Sequence, residues 1–191
     1  LPAEGRGRVV IESVSPTVDE GRFPAKRVVG DVVRVEADIF ADGHDSLGAM
    51  LLSRHESTEH WTEQRMGAGV NDRWCGEFTA AELGRYRFAV HAWVDHFETW
   101  RRDLAKRIQA NTDTDVDYQI GADLIAAAAS RAEGPAAEWL DHRAQSLRAG
   151  GAVAGLRALA TDTVLNEYMT RYPDRRFATC TDEFAIVVDP P

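Results

Sequence analysis

Cysteine and lysine are scarce in this chain of 191 residues. Cys75 and Cys180 are its two cysteines, too few and too far apart for a disulfide framework or a metal knuckle, and they read as free thiols. Lysine occurs only at Lys26 and Lys106 among 22 basic residues, a bias toward arginine that reads as GC-rich coding rather than as a functional signal. Positive charge is short overall: 31 acidic residues leave a net charge of −9. That balance argues against a nucleic-acid or anionic-membrane partner, since neither would gain phosphate pairing or counterion release. No apolar run approaches the roughly 18 residues of a membrane span, and no basic-then-apolar leader opens the chain, so a soluble, cytoplasmic protein is expected. The chain starts at Leu1 and ends Val188-Asp189-Pro190-Pro191, which suggests a piece of a longer polypeptide.

Motifs for chemistry are equally sparse. There is no Gly-x-Ser-x-Gly elbow, no glycine-rich phosphate loop and no cysteine beside a plausible base. His55 and His60, like His91 and His96, are five apart, which on a strand puts the members of each pair on opposite faces. Asp113, Asp115 and Asp117 imitate the start of a calcium loop, yet Tyr118 stands where the loop needs glycine and Leu124 where it needs glutamate. These carboxylates fit a helix start better, where they meet free N–H groups. No catalytic, cofactor or metal residue is therefore assigned.

What is present is a change of period. Val33, Val35, Ala37 and Ile39 alternate with Arg34, Glu36 and Asp38, the pattern of a half-buried strand. Similar stretches at 8–14, 31–40, 47–54, 59–66, 73–78 and 85–94, broken by Gly, Asn-Asp and Pro, indicate an antiparallel sandwich. Tyr86, just after Leu83-Gly84 at a strand start, is placed for a tyrosine corner of immunoglobulin type, or is an ordinary core aromatic. From Asp95 the period becomes helical. Phe97, Trp100, Leu104 and Ile108 share a face after an Asp95/Glu98 cap; Ile120, Leu124, Ile125 and Ala128 mark a second helix. A third follows Gly134-Pro135 and stops at Gly150-Gly151, and a fourth runs from Ala152 to Pro173. Strand character returns at 177–188. The expected fold is α+β: an immunoglobulin-like antiparallel β-sandwich, 1–95 with 174–191, carrying a four-helix bundle, 96–173, inserted between its last two strands. An even number of antiparallel helices would return the chain to where it left, letting the last strand pair beside its predecessor.

Four residues are the candidate contacts. If Phe88 and Val90 face the core, then Ala89, His91 and Trp93 form an outward stripe, which either packs on the adjoining helices or is a recognition surface. Trp61 and Trp74 also sit on strands, where either face is open to them. Any of these indoles could stack on a sugar ring or be buried in a core or interface, whereas Trp100 and Trp139 lie on apolar helix faces.

The run Gly7-Arg8-Val9-Val10-Ile11-Glu12-Ser13-Val14-Ser15-Pro16, followed by Gly21-Arg22-Phe23-Pro24-Ala25-Lys26-Arg27 and Gly30-Asp31, resembles the N-terminus of the bacterial maltose-1-phosphate maltosyltransferases, glycosyltransferases of the α-amylase (glycoside hydrolase) superfamily. Trp61 with Met66, Asn71-Asp72-Arg73-Trp74, Gly84-Arg85-Tyr86, Ala92-Trp93-Val94-Asp95-His96-Phe97 and Trp100-Arg101-Arg102-Asp103-Leu104 extend the resemblance over essentially the whole chain. The resemblance implies an immunoglobulin-like N domain with an inserted helical domain, preceding a (β/α)-barrel and supplying much of a homodimer interface. It also implies that the nucleophile and the acid/base lie in that barrel, beyond Pro191, so no catalytic residue is carried onto this chain. The whole enzyme would transfer maltosyl units from maltose 1-phosphate to an α-1,4-glucan with retention, as part of α-glucan biosynthesis. No cofactor is implied. The alternative expectation is a maltooligosaccharide-binding module using exposed Trp side chains.

Overall fold

The computed structural model describes residues 8–191; Leu1 and Gly7, both used in reading the sequence, lie outside the described residues. The chain divides into two compact units, one ending at Val94 and resuming over Arg175–Pro191, the other Asp95–Asp174.

Among the described residues the first unit has ten strands in two sheets. One has the order β1 (Val10–Ser15), β3 (Val32–Phe40), β7 (Arg73–Thr79), β6 (Gly67–Ala68). The other runs β2 (Ala25–Val28), β10 (Phe184–Asp189), β8 (Gly84–Val94), β4 (Leu47–His55), β5 (Thr62–Arg65), with β9 (Thr179–Cys180) also pairing β8. Alternation in β3 does what the sequence demands. Val33, Val35, Ala37 and Ile39 are buried, while Arg34 and Arg73 bridge Glu36, Glu77 and Asp38 across the outer face. Inward residues of both sheets, among them Leu51, Phe88, Val90, Ile186 and Val188, join the β3 row in one core. The Tyr86 hydroxyl accepts a hydrogen bond from the Glu82 N–H at 3.1 Å, the bond back to upstream backbone that its position after Leu83-Gly84 predicts. β10 pairs antiparallel to β8, its expected neighbour. It pairs parallel to β2, so the sheet is not antiparallel throughout.

The second unit has five helices: α1 (His96–Gln109), α2 (Asp115–Arg131), α3 (Gly134–Ala149), α4 (Val153–Ala160) and α5 (Thr163–Arg171). Asp95 caps α1 by accepting from the Glu98 N–H at 3.0 Å, and Phe97, Trp100 and Leu104 are buried as the period requires. On α2 the buried face is instead Tyr118, Gly121, Ala122, Ile125 and Ala128, while Ile120 is exposed. Small residues carry this face, so the larger Ile120 misleads. Gly150, at φ 72°, lets the chain leave α3 in a conformation closed to most side chains. The single helix expected over 152–173 is two. Asp162 caps α5 through the Val164 N–H at 3.0 Å, and Arg143 holds the break by donating to both the Asp162 carboxylate and the Leu159 carbonyl. Leu156, Ala160, Leu165 and Met169 are buried on both sides of it, so the apolar series alone does not reveal the interruption.

Two of the three aspartates at the start of α2, Asp113 and Asp117, are tied into the fold, while Asp115 is exposed. Asp117 accepts from the Thr114 N–H at 2.8 Å and pairs with Arg107. Asp113 accepts from Nε and Nη2 of the Arg157 guanidinium, one to each carboxylate oxygen, and from the Tyr118 hydroxyl. Arg157 above all, then Tyr118, holds the Asp113 carboxyl well below the usual carboxylate range, and burial pushes the Tyr118 phenol up to about 12. A depressed folded value means that the stabilisation is complete above the unfolded carboxylate pKa of about 4 and is lost as pH falls below it. Thermal melts at pH 5, 4 and 3 are expected to show a steeper loss for the native chain than for Asp113→Asn. Parallel declines would contradict the pairing.

Candidate functional site

Strand β8 turns Phe88, Val90 and Ala92 into the core, so His91 and Trp93 face outward. Pairing carries the same face across the sheet: Met50 lies between His91 and Arg65, and Gly48 lies beside Trp93. On this face Met50, Leu52 and Trp93 form a small buried cluster with Trp61 and Ala178 packed against it. The stripe is therefore outward with respect to the main core, yet it is not open. Trp93 is only 2% exposed.

Arginines close it. The guanidinium carbons of Arg65 and Arg175 lie 5.0 and 5.3 Å from the Trp93 ring centroid, and that of Arg54 lies 5.2 Å from Trp61. These are cation–π distances. Arg175 is fixed by Glu63, donating to its two carboxylate oxygens at 3.1 and 2.9 Å, and sits 3.3 Å from His91 Nδ1. Since arginine can only donate, Nδ1 is the acceptor and the His91 ring proton resides on Nε2. Burial, then the Arg175 charge, pushes the His91 pKa down, so the ring is neutral at neutral pH. Gly48 makes room for the indole: a Cβ there would lie 2.7 Å from Trp93 Nε1. Among the described residues nothing accepts from that buried indole N–H.

The structure thus brings Trp61, His91 and Trp93 together and leaves Trp74 elsewhere. Trp74 lies in the other sheet, half-buried against the main core and paired with Ala37. Arg65, Arg175 and Glu63 were not singled out by sequence. Arg175 follows Pro173 in a stretch without period, and only Gly48, a glycine inside a strand pattern, hints at a close approach. Among the described residues no three His, Cys, Asp or Glu side chains converge to hold a metal ion. No helix among them is long and apolar enough to cross a membrane. The cluster combines aromatic area and a cationic rim with one hydrogen-bond donor that is buried without an acceptor among the described residues.

A family model described as alpha-1,4-glucan:maltose-1-phosphate maltosyltransferase, domain N/S, matches residues 7–190. The chain belongs to this family. Both units of this domain N/S chain fall within the match. The maltosyltransferase of Chlorobaculum tepidum is 41% identical over 186 residues, covering 97% of this chain and 28% of that protein. That of Salinibacter ruber is 34% identical, covering 96% of this chain and 27% of the relative. The enzyme named maltosyltransferase 1 of Streptomyces coelicolor is 35% identical, covering 96% and 28%. The chain spans less than a third of the length of these relatives.

Proposed function

We propose that this chain is the non-catalytic accessory and self-association region of a cytoplasmic enzyme that, like its named relatives, extends α-1,4-glucan from maltose 1-phosphate. The observation that carries the reading is the match of residues 7–190 to domain N/S, about 28% of the relatives' length. Its β unit is an immunoglobulin-like sandwich, a reading supported by the Tyr86 corner and the core shared by two sheets. The helical unit is an insertion before the final strands, since β10 returns beside β8. The catalytic barrel follows in the same polypeptide, and a homodimer forms through this region. Trp and Arg are the residue types whose loss costs most at protein interfaces, and the outer face of the larger sheet concentrates both.

A second reading keeps glycan contact at this face. Trp93 is closed, so Trp61, half-buried beside Arg54, is the ring left to stack on a sugar. In either reading the isolated chain releases no phosphate from maltose 1-phosphate in the presence of a glucan acceptor. Steady phosphate release by the purified chain would contradict an accessory role.

A further inference from the structure

The larger sheet has a second unusual place, on its inward side. Along β4 the inward positions run Ala49, Leu51, Ser53, His55: two core residues, then two polar ones on the same face. Pairing sets Thr62 opposite Ser53 and Gln64 opposite Leu51, so the edge strand β5 adds two more polar groups to that side. Here the core gives way to a cleft of about 560 Å³, completed from the other sheet by Val32, Glu77, Phe78 and Thr79. Its volume lies within the range of small-ligand sites. Ser53 is buried while Thr62 and Gln64 are exposed, so this row of polar groups leads from the edge of the core out to solvent.

Several lining groups are already committed. The Tyr86 hydroxyl holds the Glu82 N–H, the two His55 nitrogens face Ser57 and the Leu83 carbonyl, and Arg54 donates to the Thr58 carbonyl. Others are not. Among the described residues, the side chains of Ser53, His60, Thr62, Gln64 and Thr79 make no hydrogen bond within the protein, and Ser53 is only 7% exposed. We propose that this cleft binds a neutral polyhydroxylated molecule of one or two sugar rings. Hydroxyl and amide side chains both donate and accept, as a polyol does. Phe78 and Val32 offer an apolar wall to the C–H face of a ring, and with Glu77 paired to Arg34 and Arg54 among the lining residues the cleft carries no strong charge of one sign, which suits an uncharged ligand. The site lies on the opposite side of the sheet from Trp61 and Trp93 and is independent of self-association.

Titration of the 191-residue chain with maltotriose, followed by amide NMR shifts and calorimetry, tests it. Millimolar binding is expected, with shifts centred on 53, 62 and 64. Ser53→Val combined with Thr62→Val should weaken it at least about tenfold, the worth of one to two hydrogen bonds. Thr62→Val alone, at an exposed position, guards against misfolding and should weaken it measurably. Trp61→Ala should leave it unchanged. No shifts at tens of millimolar maltotriose would overturn the assignment. So would binding indifferent to Thr62→Val, or a loss on Trp61→Ala as large as that on Thr62→Val.

Discussion

Trp93→Ala is expected to destabilise the β unit by about 3–5 kcal/mol, the range for emptying a buried indole site. Truncation strips the cover from Met50 and Leu52 and removes the ring that Arg65 and Arg175 lie against. One effect opposes this. The indole N–H is buried without an acceptor among the described residues, and a donor left unmet costs about 1–3 kcal/mol. Trp93→Phe separates the two, since it keeps most of the ring and discards the donor. Phenylalanine is therefore expected to cost clearly less than alanine, since it empties only part of the indole site and removes the unmet donor. Urea titration read through hydrogen exchange of the β4 and β8 amides measures both. Equal losses for the two variants would show that ring packing is not what holds this face.

Gly121→Ala should also destabilise, against the helix-forming preference of the two residues. In the middle of α2 alanine is favoured over glycine by about 0.5–1 kcal/mol. A Cβ at 121, however, would lie 2.2 Å from Trp100 Cζ2. Trp100 cannot move freely, because it is buried and its Nε1 donates to the Asp117 carbonyl at 2.9 Å. Overpacking of this kind costs about 1–3 kcal/mol, so the clash prevails and the net loss is about 1–2 kcal/mol. Chemical denaturation monitored at helical amides checks it. A variant as stable as the native chain would mean that the indole has room to shift.

Much of this was legible in sequence wherever the signal was local. The β3 alternation, the α1 face, the Asp95 cap and the outward stripe of His91 and Trp93 follow from two periodicities and one capping residue. What was hidden depends on distant partners. Strand β2 has four residues and is fixed by parallel pairing to β10 at the far end of the chain, which no window detects. The α4–α5 break rests on Arg143 reaching across from α3. Hydrophobic size points Ile120 inward, whereas the buried face of α2 is carried largely by small residues. At the site, the pleat predicted which way Trp93 points but not that Arg175 would return to close it, and Trp74 was grouped with residues on a different sheet.

The most direct test of the proposed role is sedimentation velocity on the full polypeptide carrying this region, compared with the same polypeptide lacking residues 1–191. Self-association through this region predicts a dimer for the first and a monomer for the second at equal concentration. A dimer of unchanged stability without these residues would contradict it.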